Sequence, residues 1–286
     1  MSERPQRSSR KKRAVDPTTL SLFTGAGGLD LGLEAAGFAV GGCVEIDADC
    51  RATLERNRNW PVVKDADLTA RKPQSLMHEL GIDAGALQLV SAGPPCQPFS
   101  KAGQWRNGRT QGMAHHFAST LHSLVEFIEA ALPEVVLIEN VTGFVRAGSG
   151  NGISGLDVLT AGLERVNLKH DVAYAPVVLT FDAADYGVPQ HRRRVFVIAA
   201  RAGHRFKLPA ATHGREVPDA SGSRFSTAWD AIGDLAGDGG PAATGAWAAL
   251  LPSIPEGENY QHHTCRGDGE SLFGWRTRYW SFLLQL

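Results

Sequence analysis

A cysteine that directly follows two prolines has the setting in this sequence that points most clearly to chemistry. Cys96 lies in the run Gly93–Gln97 (GPPCQ), after a short apolar segment that predicts a β-strand. The prolines stiffen the turn, and open α/β sheets bind ligands at the carboxyl ends of their strands. A buried cysteine is ordinarily a small hydrophobic residue. The two prolines and the polar loop that follows favour a nucleophile here.

A glycine-rich turn between a predicted strand and a predicted helix indicates a second chemical feature. Leu20–Phe23 runs into Thr24–Asp30 (TGAGGLD), a layout that brings backbone N–H groups close to a ligand. An ordinary tight turn is the competing interpretation. Asp30 occupies the place of the third glycine of a dinucleotide-binding fingerprint, which disfavours a nicotinamide dinucleotide.

Two carboxylates follow later predicted strands at positions suited to a nucleoside. Glu45 lies twenty residues after Gly25, where an acidic side chain can accept hydrogen bonds from both ribose hydroxyls. Asp67, after the third predicted strand, could accept a hydrogen bond from an adenine amino group. An ordinary solvated loop acid is the alternative for each of them. With the glycine turn, the two residues favour a nucleoside-bearing cofactor without pyrophosphate.

A carboxyl group is also predicted beside the cysteine, on the same edge of the sheet. Glu139 lies at the end of the predicted strand Val135–Asn140, from where it could donate a proton to a ring nitrogen. A strand-end polar residue that is merely hydrogen-bonded is the alternative.

A basic turn precedes the last predicted strand. In Gln190–Arg194 (QHRRR), strand alternation places Arg192 and Arg194 on one face and Arg193 on the other. The first two could therefore point into the site, although a solvated basic turn is an equally good interpretation of the motif alone.

The elements that must position these residues alternate along the chain. Strand patterns cover Leu20–Phe23, Val40–Ile46, Pro61–Lys64, Leu87–Ala92, Val135–Asn140, Val172–Thr180 and Arg194–Ala200. Helix patterns cover Leu29–Ala36, Ala48–Asn57, Gln74–Leu80, His115–Ala131 and Leu156–Val166, with a later one at Thr227–Leu235. This order predicts an α/β fold with a doubly wound, mostly parallel sheet.

Composition divides the chain into three parts and excludes several classes. We expect a disordered basic tail at 1–16, a catalytic and cofactor-binding domain at 17–208, and a loop-rich region at 209–286. No apolar run approaches the ~18 residues of a membrane span, so no membrane partner is expected. The four cysteines form no Cys-x-x-Cys pair, which predicts a reducing cytoplasm and no structural metal.

Charge is unevenly distributed along the sequence. Six basic residues against one acidic residue give residues 1–13 a net charge of +5, so residues 14–286 carry −6 of the total of −1. Phosphates dominate the non-specific affinity of duplex DNA. Any function on DNA therefore requires local basic clusters or a second partner.

Four motifs in order carry a resemblance to a known family. They are Phe23-x-Gly25-x-Gly27-Gly28, Pro94-Pro95-Cys96-Gln97, Glu139-Asn140-Val141 and Gln190-x-Arg192-x-Arg194. Over Leu20 to Ala200 the chain resembles the DNA (cytosine-5)-methyltransferases of bacterial restriction-modification systems. The resemblance implies the fold of S-adenosylmethionine-dependent methyltransferases and methyl transfer to C5 of cytosine in duplex DNA.

The resemblance also implies a role for each matching residue. A pocket for S-adenosyl-L-methionine would be formed by Phe23, Gly25, Gly27, Gly28, Leu29, Glu45, Ile46, Asp67, Gly93 and Pro95. Within it, Glu45 would bind the ribose, Ile46 would lie against adenine, and Asp67 would bind the adenine amino group. Cys96 would attack C6 of a cytosine flipped out of the duplex. Glu139 would hold and protonate N3, while Arg192 and Arg194 would position the base and the nucleophile.

Beyond Ala200 the resemblance is only partial, and it leaves alternatives open. Residues 260–286 resemble just the opening of the family's target-recognition region. We therefore expect a methyltransferase whose C-terminal motifs are supplied by a second polypeptide, or a truncated remnant without activity. A dinucleotide-dependent oxidoreductase is a third alternative, based on the glycine turn alone.

Overall fold

The computed structural model describes most of the chain between its two ends. The described residues are 18–64, 66–95, 118–146, 152–204, 206–207, 209–216, 222–235, 248–255, 262–264 and 269–272. They form two compact units that divide between Thr227 and Ala228. The predicted tail, residues 1–16, and the predicted nucleophile, Cys96, lie outside the described residues. The predicted domain boundary after residue 208 stays a prediction.

In the first unit, strands and helices alternate as the sequence predicts. The strands are β1 (Thr18–Leu22), β2 (Ala39–Val44), β3 (Val62–Val63), β4 (Leu89–Ala92), β5 (Val135–Val141), β6 (Val177–Asp182), β7 (Arg193–Ala200), β8 (His213–Gly214) and β9 (Ser223–Arg224). The helices are α1 (Gly28–Ala35), α2 (Ala48–Asn57), α3 (Pro73–Leu80), α4 (Ala118–Ala131) and α5 (Gly155–His170). Short 3₁₀ helices cover Thr142–Val145 and Ala183–Tyr186.

Seven strands form one sheet in the order β3-β2-β1-β4-β5-β7-β6. Pairings among β1 to β5 are parallel, and β7 is antiparallel to both β5 and β6. The predicted doubly wound, mostly parallel α/β sheet is thereby confirmed. From β1 the chain proceeds to β2 on one side, while β4 lies on the other side, so the topological switch falls between β1 and β4.

The sheet is held by apolar strands that are covered by helices. Leu20, Val90 and Ile138, from three adjacent strands, are almost fully buried. Helices α4 and α5 pack closely, because Gly162 leaves room for Val125: a Cβ on that glycine would lie 2.7 Å from a Val125 methyl carbon. This core fixes the strand ends from which the candidate site is built.

The largest departure from the sequence prediction concerns the sixth strand. The apolar pattern predicts Val172–Thr180, whereas β6 begins at Val177 and continues to Asp182. The Asn167 side chain forms hydrogen bonds with the backbone of Tyr174, which precedes β6. Its amide donates to the Tyr174 carbonyl at 2.9 Å, and its oxygen accepts the Tyr174 N–H at 2.8 Å. These groups are then unavailable to a strand partner, and the strand starts later.

The second unit consists of short elements. These are α6 (Ala228–Ile232) and 3₁₀ helices at Gly233–Leu235 and Ala248–Ser253. The Ser253 hydroxyl lies 2.8 Å from Nε2 of His263, and the His263 carbonyl accepts the Leu272 N–H at 3.0 Å.

Two negative findings apply to the described ranges alone. None of their helices is long and apolar enough to cross a membrane. In the same ranges, no group of three or more His, Cys, Asp or Glu side chains is placed to hold a metal ion.

Candidate functional site

A cavity of about 910 Å³ lies next to the turn after β1 and extends over one face of β5, β7 and β6. From the glycine turn and the residue after β4 it is lined by Phe23, Thr24, Gly25, Gly28, Leu29, Asp30 and Gly93. From β5 and β7, and from the turn before β7, it is lined by Leu137, Glu139, Arg192, Arg194, Phe196 and Ile198. Two groups of residues that lie far apart in sequence therefore share one cavity.

The glycine turn has a conformation that few other sequences could adopt. Phe23 has a φ of 54°, in the left-handed region, and Gly27 has a φ of 87°. A Cβ at Gly27 would lie 2.8 Å from Leu54 and 3.1 Å from Trp60. Strained backbone of this kind is concentrated at binding and catalytic sites. The turn thus exposes backbone to the cavity and packs its other side against the core.

Glu45 connects this turn to the one that follows β2. The residue is buried, and its Oε2 accepts the Gly25 N–H at 2.6 Å while its Oε1 accepts the Asp47 N–H at 2.8 Å. Each carboxylate oxygen has a second lone pair, so both can also accept a ligand hydroxyl. Both turns are therefore held in position by the residue predicted to bind ribose.

The two residues predicted at the adenine end lie outside the lining of the cavity. Ile46 follows Glu45 and is 64% exposed, which leaves its apolar side chain free to contact a ring. Asp67 Oδ1 accepts hydrogen bonds from the Thr69 N–H at 2.9 Å and from the Thr69 hydroxyl at 2.7 Å. Their predicted roles stay predictions.

An ion pair marks the other end of the cavity. Arg194 Nε lies 2.8 Å from Glu139 Oε1, and both side chains are partly buried. In the antiparallel register Glu139 is opposite Phe196, so Arg194 is its diagonal neighbour. Because β7 runs against β5, the start of β7 lies at the edge of the sheet where β5 ends.

Three consecutive arginines, Arg192 to Arg194, lie at the start of β7. Arg192 and Arg194 line the cavity and Arg193 does not, although Arg192 and Arg193 are both exposed and only Arg194 is partly buried. The side chains face the cavity from a turn that is itself anchored, because Asp182 Oδ1 accepts the Arg192 N–H at 2.8 Å.

Asp182 is a positioning residue that the sequence analysis missed. It also accepts the Ala184 N–H at 3.3 Å, and its Oδ2 lies 3.3 Å from His191 Nδ1. Burial alone would raise the pKa of Asp182, but the N–H groups of Ala184 and Arg192 outweigh it and hold the pKa below its usual value. In the sequence, the feature that could have identified Asp182 is an acidic residue near a strand end, ten residues before Arg192.

The segment that leads to Cys96 is tied to two strands. The Gly93 N–H donates to the Leu22 carbonyl at 3.2 Å, and the Asn140 amide donates to the Pro94 carbonyl at 3.0 Å. Asn140 is buried and directly follows Glu139. The described turn ends at the half-buried Pro95, so its path is fixed up to the residue before the predicted nucleophile.

A second residue that was not predicted as part of the site, Asp30, lies at the floor of the cavity. It has no exposed surface, and its Oδ1 is 3.5 Å from the Ser91 hydroxyl. Among the described residues its Oδ2 has no hydrogen-bond partner. Burial raises the pKa of Asp30. Burial and the nearby Asp30 charge together raise the pKa of the Cys43 thiol to about 12.

The sequence is similar to those of known proteins. Residues 18–265 match the family described as C-5 cytosine-specific DNA methylase. The chain is similar to the Type II methyltransferase M.SacI of Streptomyces achromogenes, with 34% identity over 93% of this chain and 70% of that protein. It is also similar to M.AquIA of a Picosynechococcus species, with 33% identity over 70% of this chain and 78% of that protein. With M.AgeI of Thalassovita gelatinovora it shares 36% identity over 68% of this chain and 42% of that protein.

Proposed function

We propose, since this chain belongs to the C-5 cytosine-specific DNA methylase family, that it transfers the methyl group of S-adenosyl-L-methionine to C5 of cytosine in duplex DNA. The observation that supports this best is the shared cavity, which the glycine turn lines at one end and the Glu139–Arg194 pair at the other. A methyl donor and a pyrimidine bound at the two ends would meet inside it.

The residues at the glycine turn fit the cofactor. Phe23, Gly25 and Leu29 offer a ring and open backbone, and the lone pairs of Glu45 face the turn that its carboxylate holds. Ile46 would lie against adenine and Asp67 would accept a hydrogen bond from its amino group, with Gly27, Gly28, Gly93 and Pro95 shaping the pocket. When bound, S-adenosyl-L-methionine supplies an electrophilic methyl group on a positively charged sulfur.

Cys96 would make C5 of the cytosine reactive. An aromatic pyrimidine is a poor nucleophile at C5, so the Cys96 thiolate adds to C6 and forms an S–C bond. The electrons of the C5=C6 double bond then become available at C5. The cytosine must leave the base stack for this attack, which is the base flipping that enzymes acting on a base require.

Glu139, Arg192 and Arg194 would stabilise the base during this addition. A proton held between Glu139 and N3 neutralises the charge that addition at C6 places on the ring. Arg194 keeps the carboxyl group in position through the 2.8 Å contact. After C5 is methylated, its proton is lost to solvent, the C–H electron pair re-forms the double bond, and the Cys96 thiolate leaves.

Covalent trapping tests the proposal. With S-adenosyl-L-methionine and a duplex that contains 5-fluorocytosine, the C5 fluorine cannot be lost as a proton is, so the covalent complex accumulates. We expect a denaturation-resistant complex with the wild-type chain and with Cys50→Ser, a matched control on α2. Cys96→Ser should give none. A complex of the same yield with Cys96→Ser would remove Cys96 from the mechanism.

The hypothesis of a second polypeptide is tested in the same assay. One arm contains the chain alone, and the other adds the product of the reading frame directly downstream. Trapping in either arm supports the proposed function, and trapping only in the second supports the two-polypeptide form. If the chain binds S-adenosyl-L-methionine but neither arm yields a complex, the proposed methyl transfer is wrong for these polypeptides.

A further inference from the structure

Positive charge is concentrated in one stretch of the first unit, from the end of β6 to the end of β9. Residues 183–224 contain eight basic and three acidic side chains, which gives a net charge of +5. Residues 1–13 carry another +5, so all other residues together carry −11, because the total is −1. Such an excess on a short stretch of an otherwise acidic protein indicates a negatively charged partner.

Strands β8 and β9 pair in parallel and form a short ribbon that is held against the turn before β7. His213, the first residue of β8, packs on Gly187, because a Cβ on that glycine would lie 2.8 Å from the His213 ring. Phe225, which follows β9, contacts the ring of His191 with 5.3 Å between the ring centroids. The ribbon therefore has a fixed position beside the turn that carries Arg192.

The chain reaches the ribbon along the edge of the cavity. Tyr186, Lys207 and Pro209 all line the cavity. The Tyr186 hydroxyl donates to the Pro209 carbonyl at 3.2 Å, and the Thr212 N–H donates to the Asp185 carbonyl at 2.9 Å. Because Lys207 is exposed as well as part of the lining, it lies where the cavity opens to solvent.

Three exposed cations of this stretch, which we call the rim cations, are Lys207, Arg215 and Arg224. In the part of the chain that the structure describes, none of them forms an ion pair, although the exposed Glu216 directly follows Arg215. Their charges are therefore not used to hold the fold together. Lysine and arginine side chains in this state are suited to binding phosphate oxygens.

We propose that the rim cations bind phosphates of the DNA strand that carries the target cytosine. A flipped cytosine stays attached to its strand on both sides, so with the base in the cavity the neighbouring phosphates lie at the opening. The first unit thus has a contact with the DNA backbone of its own, separate from any target-recognition region. This inference rests on the proposed function, because that function places the base in the cavity.

Fluorescence anisotropy with a short labelled duplex of arbitrary sequence, at a series of salt concentrations, tests the inference. In each of Lys207→Ala, Arg215→Ala and Arg224→Ala, we expect the Kd for the duplex at low salt to rise by about threefold to tenfold. The slope of log Kd against log salt concentration should fall by about one, because one phosphate contact is lost. Residues 1–13 are the same in every variant and so do not affect the comparison.

Arg193→Ala is the matched control, since it removes the same charge from the same stretch. Arg193 begins β7, whose cavity-lining residues are Arg194, Phe196 and Ile198, so alternation directs Arg193 to the other face. Its Kd and salt slope should match those of the wild type. Arg215→Lys should keep the salt slope, and Arg215→Glu should weaken binding more than Arg215→Ala. Equal loss in Arg193→Ala, or in all three variants of Arg215, overturns the inference.

Unlabelled polyglutamate of the same total charge as the duplex tests for an acidic protein as the partner. If polyglutamate displaces the labelled duplex as effectively as unlabelled duplex does, the surface fits an acidic polypeptide and the inference is wrong. Absence of duplex binding by the wild-type chain at low salt also overturns it.

Two measurements on the variant without all three rim cations separate this inference from the proposed function. Its melting temperature and its Kd for S-adenosyl-L-methionine should match the wild type, and unfolding of this variant would overturn the inference. If the wild type forms the 5-fluorocytosine complex and this variant binds duplex equally well, the inference alone fails. If the wild type binds duplex through the rim cations but forms no complex, the proposed methyl transfer fails and the phosphate contact stands.

Discussion

The two ends of the cavity are held in different ways. At the glycine-turn end, a buried carboxylate, Glu45, accepts two backbone N–H groups, and the turn itself has positive φ angles. At the other end, Glu139 and Arg194 hold each other by a side-chain ion pair across two strands. The first end is shaped by the main chain, whereas the second is shaped by side chains on a rigid sheet.

This difference indicates that the two ends can be disturbed separately. A main-chain site responds to backbone strain and to loss of the group that holds the turn. A side-chain site responds to truncation of either partner while the sheet stays intact. Variants at one end should therefore change methyl transfer without changing cofactor affinity, and variants at the other should change affinity first.

The largest effect is expected from Arg194→Ala. Glu139 would lose the contact that orients its carboxyl group, and kcat/KM for methyl transfer should fall by about 10²–10³-fold. The Kd for S-adenosyl-L-methionine should not change. The neighbouring Arg193→Ala, outside the cavity lining, should stay within about twofold of wild type in both measurements. A parallel rise in Kd would show that the two ends are coupled.

A smaller effect is expected from Glu45→Gln at the opposite end. An amide has one accepting oxygen, so one of the two backbone N–H groups of Gly25 and Asp47 loses a charged acceptor. Titration should show the Kd for S-adenosyl-L-methionine raised by about tenfold or more. Asp49→Asn, an exposed acid on α2, should leave the Kd unaltered. Unchanged binding in Glu45→Gln would disprove its predicted role.

The smallest effect is on stability, from alanine at two glycines of the same region. Gly27→Ala forces a side chain into a φ of 87° and toward Leu54, and should lower the free energy of unfolding by about 1–3 kcal/mol. Gly32→Ala, inside α1 with open space around it, should raise that free energy by about 0.5–1 kcal/mol. Urea unfolding measures both. Equal effects of the two substitutions would contradict a strained turn.

The pattern of apolar residues and glycines predicts the helices and strands well, because these elements depend on residues that are close together in the sequence. Apolar runs and the glycine turn place β1 and α1 to within two residues of their observed bounds, and alternation in β7 separates Arg193 from its two neighbours. The start of β6 is missed because the side chain of Asn167 competes for that backbone. The pattern of apolar residues cannot show this hydrogen bonding between a polar side chain and the backbone.

The parts of the site that sequence could not reveal depend on packing between distant segments. Asp30 reads as an ordinary acid in the first turn of a helix, where such residues are common. Its unusual state arises only because α1 packs it against β1 and β4. Asp182 likewise contributes to the site only because the chain reverses direction and brings its carboxylate to the Arg192 N–H.

The hairpin of β6 and β7 has a consequence for the order of folding. The bond between Asp182 and the Arg192 N–H closes a loop of ten residues, whereas the Glu139–Arg194 pair joins segments much farther apart in the chain. Short loops close at a lower entropic cost, and local contacts form early. We expect the arginine-bearing turn to take its shape before β5 docks beside it, so that Glu139 meets a partner already in place.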